Sequence, residues 1–201
     1  PPRARVAVRL PLHWQGAVWV AACWAAGCVA APGGDPGDAD VVVVPTADAA
    51  AVATSGEVVA LGLRPFAMPG DPAPPGVTDY DVEVRSYGDR FSPYAPVSPS
   101  AAALEVAGTT LDGEVVVEAA REAARRWGLA PGERILTTWP PGTLDGVLAA
   151  LAAPLASGAA ALLCPHPDPA GLAHLVEVER VTVVAGADVA GHHIRTAASG
   201  G

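Results

Sequence analysis

Ala107-Gly108-Thr109-Thr110-Leu111-Asp112-Gly113-Glu114 stands between an apolar run, Ala101 to Val106, and a helical run, Val115 to Trp127. A small-residue loop between a strand and a helix N-terminus is where backbone N–H groups commonly hold a phosphate. Gly108, Thr109, Thr110 and Gly113 are therefore the candidate ligand-binding residues. The two glycines free the backbone to turn, and either threonine can satisfy helix N-terminal N–H groups. The charge, however, is wrong for a phosphate. The stretch carries Asp112 and Glu114, and all twelve basic residues of the chain are arginines. Carboxylates at that point stabilise the positive end of a helix by themselves.

Outward from this stretch the chain alternates. Runs rich in Val or β-branched residues and bounded by Gly or Pro read as strands at Arg5–Leu10, Cys28–Ala31, Asp40–Val44, Glu57–Leu63, Tyr80–Arg85, Ala102–Val106, Arg134–Thr138, Ala159–Leu163 and Val181–Ala185. Helices are expected at Gln15–Ala26, Ala47–Thr54, Glu114–Trp127, Leu144–Ala156 and Pro169–Val178. The first has no polar face, so burial on more than one side is expected. In the third, Val117, Ala120, Ala124 and Trp127 make an apolar stripe, Glu122 and Arg126 pair at i,i+4, and Gly128 with Pro131 ends the helix. Strands alternating with helices predict an α/β fold, one mostly parallel sheet flanked by helices. The expected organisation is an N-terminal βα half (1–63), a Pro/Gly-rich irregular excursion (64–99), a C-terminal βα half (100–186) and a tail (187–201).

Composition excludes several function classes. A net charge of −9 over 201 residues leaves no basic stripe for nucleic acid and no polybasic membrane patch. Cys23, Cys28 and Cys164 lack zinc-like spacing and read as buried thiols in a reducing cytoplasm. Zero Lys, zero Asn and two Ile point to a GC-rich coding sequence, and a bacterial source is expected. The apolar stretch Gly16 to Ala31 follows three arginines, which leaves an exported protein with a cleaved N-terminus as an alternative. Against export, Arg3 to Pro11 alternates like a strand, and Trp14, Trp19 and Trp24 are unusual in a signal core. The chain opens with Pro and no Met, and the sequence leaves open whether the natural start lies upstream of Pro1.

Three segments together resemble the N-terminal region of the adenylate-forming superfamily: acyl-CoA synthetases, luciferases and peptide-synthetase adenylation domains. The first is Arg5-Val-Ala-Val-Arg-Leu-Pro11 followed by Trp24-Ala-Ala-Gly-Cys-Val-Ala-Ala-Pro32. The second is Ala107-Gly-Thr-Thr110, similar to the family's phosphate loop. The third runs from Pro140-Pro-Gly-Thr-Leu-Asp-Gly146 through Ala153-Pro-Leu-Ala-Ser-Gly158 to Arg180-Val-Thr-Val-Val-Ala-Gly186. The resemblance covers Arg3 to Gly186 and implies a shortened, degenerate N-terminal domain. Where the family loop has Ser, a second Gly and Lys around the ATP phosphates, this chain has Ala107, Leu111 and Glu114. Replacing a cation by an anion ~4 Å from phosphate reverses about 4 kcal/mol at an effective dielectric of ~20, before screening. A helix N-terminus, at most about 2 kcal/mol, does not offset that. The His of the passage after the loop is Thr143 here. By this resemblance the base-contacting motifs and the catalytic lysine of the family lie beyond Gly201.

The expectation is thus a cytoplasmic, non-catalytic binding or interaction module with no catalytic residue, metal or cofactor. A homo-oligomer or a partner protein is expected, since a shortened domain loses surfaces that its missing parts covered. The alternative is an adenylate-forming enzyme fragment completed by a partner chain, and only then would ATP or AMP bind. Weaker candidates have plainer readings. His192-His193 reads as an exposed pair, Cys164-Pro-His166 as a loop, and Asp145 as a helix cap sooner than a ligand contact.

Overall fold

The computed structural model describes residues 3–65, 68, 70–93, 95–189 and 195–200. It divides into two compact units, one of residues up to Leu10 with Val18–Gly113, the other of Pro11–Ala17 with the chain from Glu114 onward. Each is an α/β layer structure with its own sheet.

In the first unit the strands are β1 (Arg5–Val8), β2 (Val29–Pro32), β3 (Val41–Pro45), β4 (Glu57–Leu61), β5 (Thr78–Asp79), β6 (Ala102–Val106) and β7 (Thr109–Asp112). Their order is β5-β4-β3-β1-β2-β6-β7. Every pairing is parallel except β6 with β7. Central strands of such sheets are covered on both faces and so read as unbroken apolar runs. Val42, Val43 and Val44 are accordingly buried, and with Ala7, Ala49 and Ala60 they belong to the core of this unit.

The second unit has β8 (Arg134–Thr137), β9 (Ala160–Leu163), β10 (Val183–Ala185) and β11 (Arg195–Ala197), ordered β11-β10-β8-β9 and all parallel. Its core groups Leu136, Leu172, Val176, Val181 and Val184. The mostly parallel α/β character is as expected, but the strands form two sheets and not one.

Several local expectations are corrected. Helix α1 (Trp14–Ala26) buries Gln15, Val20 and Cys23 but leaves Trp14, Val18, Ala22 and Ala25 on an exposed stripe, so it is covered on one side only. Tyr80–Arg85 is not a strand. Asp79 caps α2 (Tyr80–Glu83) by accepting the N–H groups of Asp81 and Val82, and a 3-10 turn follows at Val84–Ser86. The cap outweighs the β-propensity of that run. The expected helix at Ala47–Thr54 is a 3-10 turn at Thr46–Ala51, because Thr54 Oγ1 accepts the Gly56 N–H and turns the chain early.

Helix α3 (Gly113–Trp127) buries Val116, Ala120, Ala123, Ala124 and Trp127, so its stripe begins one residue before the expected Val117, which is exposed. Glu122 pairs with Arg125 at i,i+3 and not with Arg126, whose guanidinium lies 5.6 Å from the Trp127 ring centroid. The expected helix at Leu144–Ala156 has three parts: α4 (Leu144–Val147), a widened π turn (Leu148–Ala152) and α5 (Ala153–Ser157). Pro154 lacks an N–H and crowds the carbonyl four residues back, which accounts for the widening. Helix α6 (Pro169–Val178) stands where expected.

Candidate functional site

The stretch Ala107–Glu114 does not pass from strand to helix as an open cradle. Val106 pairs with Thr109 and Glu105 with Thr110, so β6 and β7 form a hairpin joined by two residues. Ala107 (φ +50) and Gly108 (φ +76) are both left-handed, the requirement of a tight two-residue turn. Thr109 and Thr110 stand in an antiparallel strand, for which β-branched residues are suited. Gly113 opens α3, with its N–H on the Ala101 carbonyl and no room for a Cβ beside the Pro99 carbonyl, 2.9 Å away. The four candidate residues thus share one hairpin and its exit. Gly108 faces open space.

The neighbouring charge is already committed. Arg5 donates to both carboxylate oxygens of Glu105, at 2.8 and 2.7 Å, and to the Asp35 carbonyl. The Glu105 hydrogen bond raises the Arg5 pKa, and the same bond holds the Glu105 carboxyl below its usual range. This bidentate pair occupies the arginine that stands beside β6.

A second candidate place lies in the second unit. The chain moves from β8 to β9 on one side, then crosses to β10 on the other. The carboxyl ends of β8 and β10 therefore flank a topological switch point, the usual ligand crevice of open α/β sheets. Thr137, fully buried, accepts the Trp139 N–H through its hydroxyl, and the Thr138 N–H bonds the Ala185 carbonyl at 3.0 Å. Gly186 (φ +82) lies under Trp139, and a Cβ there would come within 2.6 Å of Trp139 Cδ1 and Thr138 Oγ1. Trp139 packs on Trp127 with the ring centroids 5.7 Å apart and the planes tilted by 53°, and Trp127 donates its indole N–H to the Ala198 carbonyl. This tryptophan pair was not singled out from the sequence. A glycine directly after the Val-Val-Ala run was its legible signal, but strand order was not legible.

The helix-cap role expected of Asp145 falls to Thr143. Thr143 caps α4 by accepting the Gly146 N–H at 3.0 Å. Asp145 accepts the Gly200 N–H with both oxygens, at 3.3 and 3.2 Å, and so holds the C-terminal segment. Cys164 packs against the core of this unit, and no hydrogen bond joins it to His166 among the described residues. His192 and His193 lie outside the described residues. Among those described, no cluster of three His, Cys, Asp or Glu could hold a metal, and no helix is long and apolar enough to cross a membrane.

Buried polar atoms without a protein hydrogen-bond partner occur on three side chains among the described residues. They are both amide atoms of Gln15, the Trp19 indole nitrogen and Asp81 Oδ1. Asp81 is 5% exposed, and its other oxygen accepts the Gly62 N–H at 2.9 Å. Sequence reasoning missed Asp81 because it lay inside an expected strand.

The fold is shared with solved adenylate-forming enzymes. An acyl-CoA synthetase from Brucella canis matches 92% of this chain with a TM-score of 0.75 at 20% identity, the match covering 38% of that protein. The amide bond synthetase McbA from Marinactinospora thermotolerans matches 92% with a TM-score of 0.67 at 22% identity, over 40% of its length. A putative long-chain-fatty-acid CoA ligase from Rhodopseudomonas palustris matches 94% with a TM-score of 0.69 at 17% identity. The chain therefore has the fold of part of the adenylate-forming enzymes and spans about two-fifths of the first two.

A Mycobacterium tuberculosis protein, described as a TIGR03089 family protein, is 36% identical over 192 residues, 91% of this chain and 74% of that relative. The chain belongs to the TIGR03089 family. No protein-family model matches it.

Proposed function

We propose that this chain is a non-catalytic binding or interaction module on an adenylate-forming scaffold. The observation that carries this reading is the β6–β7 hairpin. Thr109 and Thr110, the residues that resemble a phosphate loop, are extended and paired with β6, and the hairpin leads into Asp112 and Glu114. Antiparallel pairing turns alternate main-chain N–H groups of β7 toward β6 and the others away from it, so successive N–H groups point in opposite directions and do not converge on a phosphate. Two further observations support it. The nearby arginine is bound to Glu105, and the crevice at the β8 and β10 ends holds Trp139, with no nucleophile hydrogen-bonded to a base there among the described residues. Val82, Tyr87 and Phe91, 63%, 73% and 65% exposed, give the first unit apolar side chains of the kind an interaction surface uses.

Pyrophosphate exchange tests the catalytic half of the proposal. The chain is incubated with ATP–Mg²⁺, labelled pyrophosphate and a panel of short to long carboxylic acids. No exchange above the protein-free control is expected. Acid-dependent exchange, by the chain alone or with a co-purified protein, would establish the adenylating enzyme in place of the module.

A further inference from the structure

Helix α1 ends in a cap that places two cysteines at the two ends of one backbone hydrogen bond. Gly27 is left-handed (φ +72), and its N–H bonds the Trp24 carbonyl at 3.2 Å. The Cys28 N–H bonds the Cys23 carbonyl at 2.8 Å. Paired bonds of this kind define a Schellman cap, in which the side chains at the two ends of the longer bond frequently pack on each other. Here both of those residues are cysteines. Bond lengths on either side of the 2.8 Å contact limit the Cα separation to about 6.7 Å. Disulfides span Cα separations of about 4.4–6.8 Å, so the backbone of the cap holds the pair within the separation that a disulfide needs. All three cysteines of the chain are thiols in this structure.

We propose that Cys23 and Cys28 form a reversible disulfide across the cap of α1, driven by a small-molecule disulfide oxidant. The two thiols have different parts to play. Cys23 is 4% exposed, whereas Cys28 is half-buried and within reach of a small oxidant. Burial first, and the charge of Cys28 second, push the Cys23 thiol up to about 12, which makes it a poor first attacker. Cys28 thiolate therefore attacks the oxidant, forms a mixed disulfide and releases one thiolate. Cys23, losing its proton to solvent, then attacks the Cys28 sulfur and releases the second thiolate. Two electrons pass from the cysteine pair to the oxidant, which leaves as two thiols. The product replaces a cap held by hydrogen bonds with a covalent one, at the point where the chain enters β2 and where Gly27 accepts the Arg3 N–H at 2.7 Å.

The test is peptide mapping of the full chain after exposure to oxidised glutathione. Cleavage after arginine gives a peptide from Leu10 that contains Cys23 and Cys28 but not Cys164. The expected result is that this peptide loses the mass of two hydrogens and regains it on treatment with dithiothreitol. In Cys23→Ser the reaction should stop at a glutathione adduct on Cys28. The wild-type map stands alone if that variant fails to fold. A persistent glutathione adduct on wild-type Cys28, or a peptide that stays fully reduced throughout, would overturn the proposal.

Discussion

Replacing Gly186 by Ala tests the packing at the carboxyl ends of β8 and β10. Gly186 has φ +82, a conformation that costs an L-residue about 1–2 kcal/mol. The new Cβ would also stand 2.6 Å from Trp139 Cδ1 and from Thr138 Oγ1, closer than atoms approach without moving. Trp139 must then shift from Trp127, its partner at 5.7 Å, and an aromatic pair contributes about 0.5–1.5 kcal/mol beyond its buried area. Together these give a loss of about 1.5–3.5 kcal/mol. Gly132 supplies the control. Its φ is +89 but its Cβ would meet nothing within 4 Å, so Gly132→Ala should cost the backbone component alone, about 1–2 kcal/mol. Urea unfolding followed by tryptophan fluorescence measures both, with near-ultraviolet circular dichroism reporting the Trp127–Trp139 pair. Equal losses in the two variants, with the dichroism of Gly186→Ala unchanged, would refute the contact between Gly186 and Trp139.

Other predictions follow from single residues. Ala107→Asn should stabilise the chain by up to about 1 kcal/mol in urea unfolding, because Asn tolerates the left-handed turn that Ala107 (φ +50) occupies; destabilisation would argue against the tight hairpin. Asp81→Ala should cost about 1–3 kcal/mol, since the partly buried Gly62 N–H loses its acceptor, while Asp81→Asn keeps an acceptor and costs less; equal costs would show that this hydrogen bond contributes nothing. Glu105 has a folded pKa below its unfolded value, so its stabilisation is present above about pH 4.3 and is lost as pH falls through the lower folded value. The pair is partly exposed, so Glu105→Gln should remove less than about 1 kcal/mol at neutral pH and flatten that part of the acid unfolding curve. Static light scattering of the purified chain should give a mass above that of the 20.1 kDa monomer if the interaction-module reading holds; a clean monomer at tens of micromolar would count against self-association.

Much of the fold could be read in the sequence because central parallel strands are apolar on both faces. Val41-Val-Val-Val44 and Arg134-Ile-Leu136 announce themselves in this way, and the left-handed Gly128 ends α3 at the expected place. Periodicity reports which residues seek a core, not which strand lies beside which, so the division into two sheets was hidden. The α3 stripe was displaced by one residue because Val115, Val116 and Val117 are all apolar and only packing distinguishes them. Two errors came from weighing local chemistry wrongly. Asp79 is a helix cap two residues before Asp81, and that cap sets the conformation of the run after it in place of the β-propensity of Val82 and Val84. Ala107-Gly108 lacks the Asn or Asp that usually marks a two-residue hairpin, so the threonines after it were read as loop and not as strand. At the second unit's crevice, Thr143 and Asp145 are both cap-forming residue types two positions apart, and only the placement of Gly146 and Gly200 assigns them.

Isothermal titration calorimetry with ATP–Mg²⁺ tests the central claim most directly, namely that the Ala107–Glu114 stretch is a closed hairpin and not a working phosphate loop. A site with a dissociation constant of ~10 μM would be saturated at 1 mM ATP and would stabilise the fold by about 2.7 kcal/mol. The account predicts no saturable heat and no thermal shift at millimolar ATP–Mg²⁺. Saturable binding at millimolar concentration or tighter, abolished by Thr110→Ala, would contradict it.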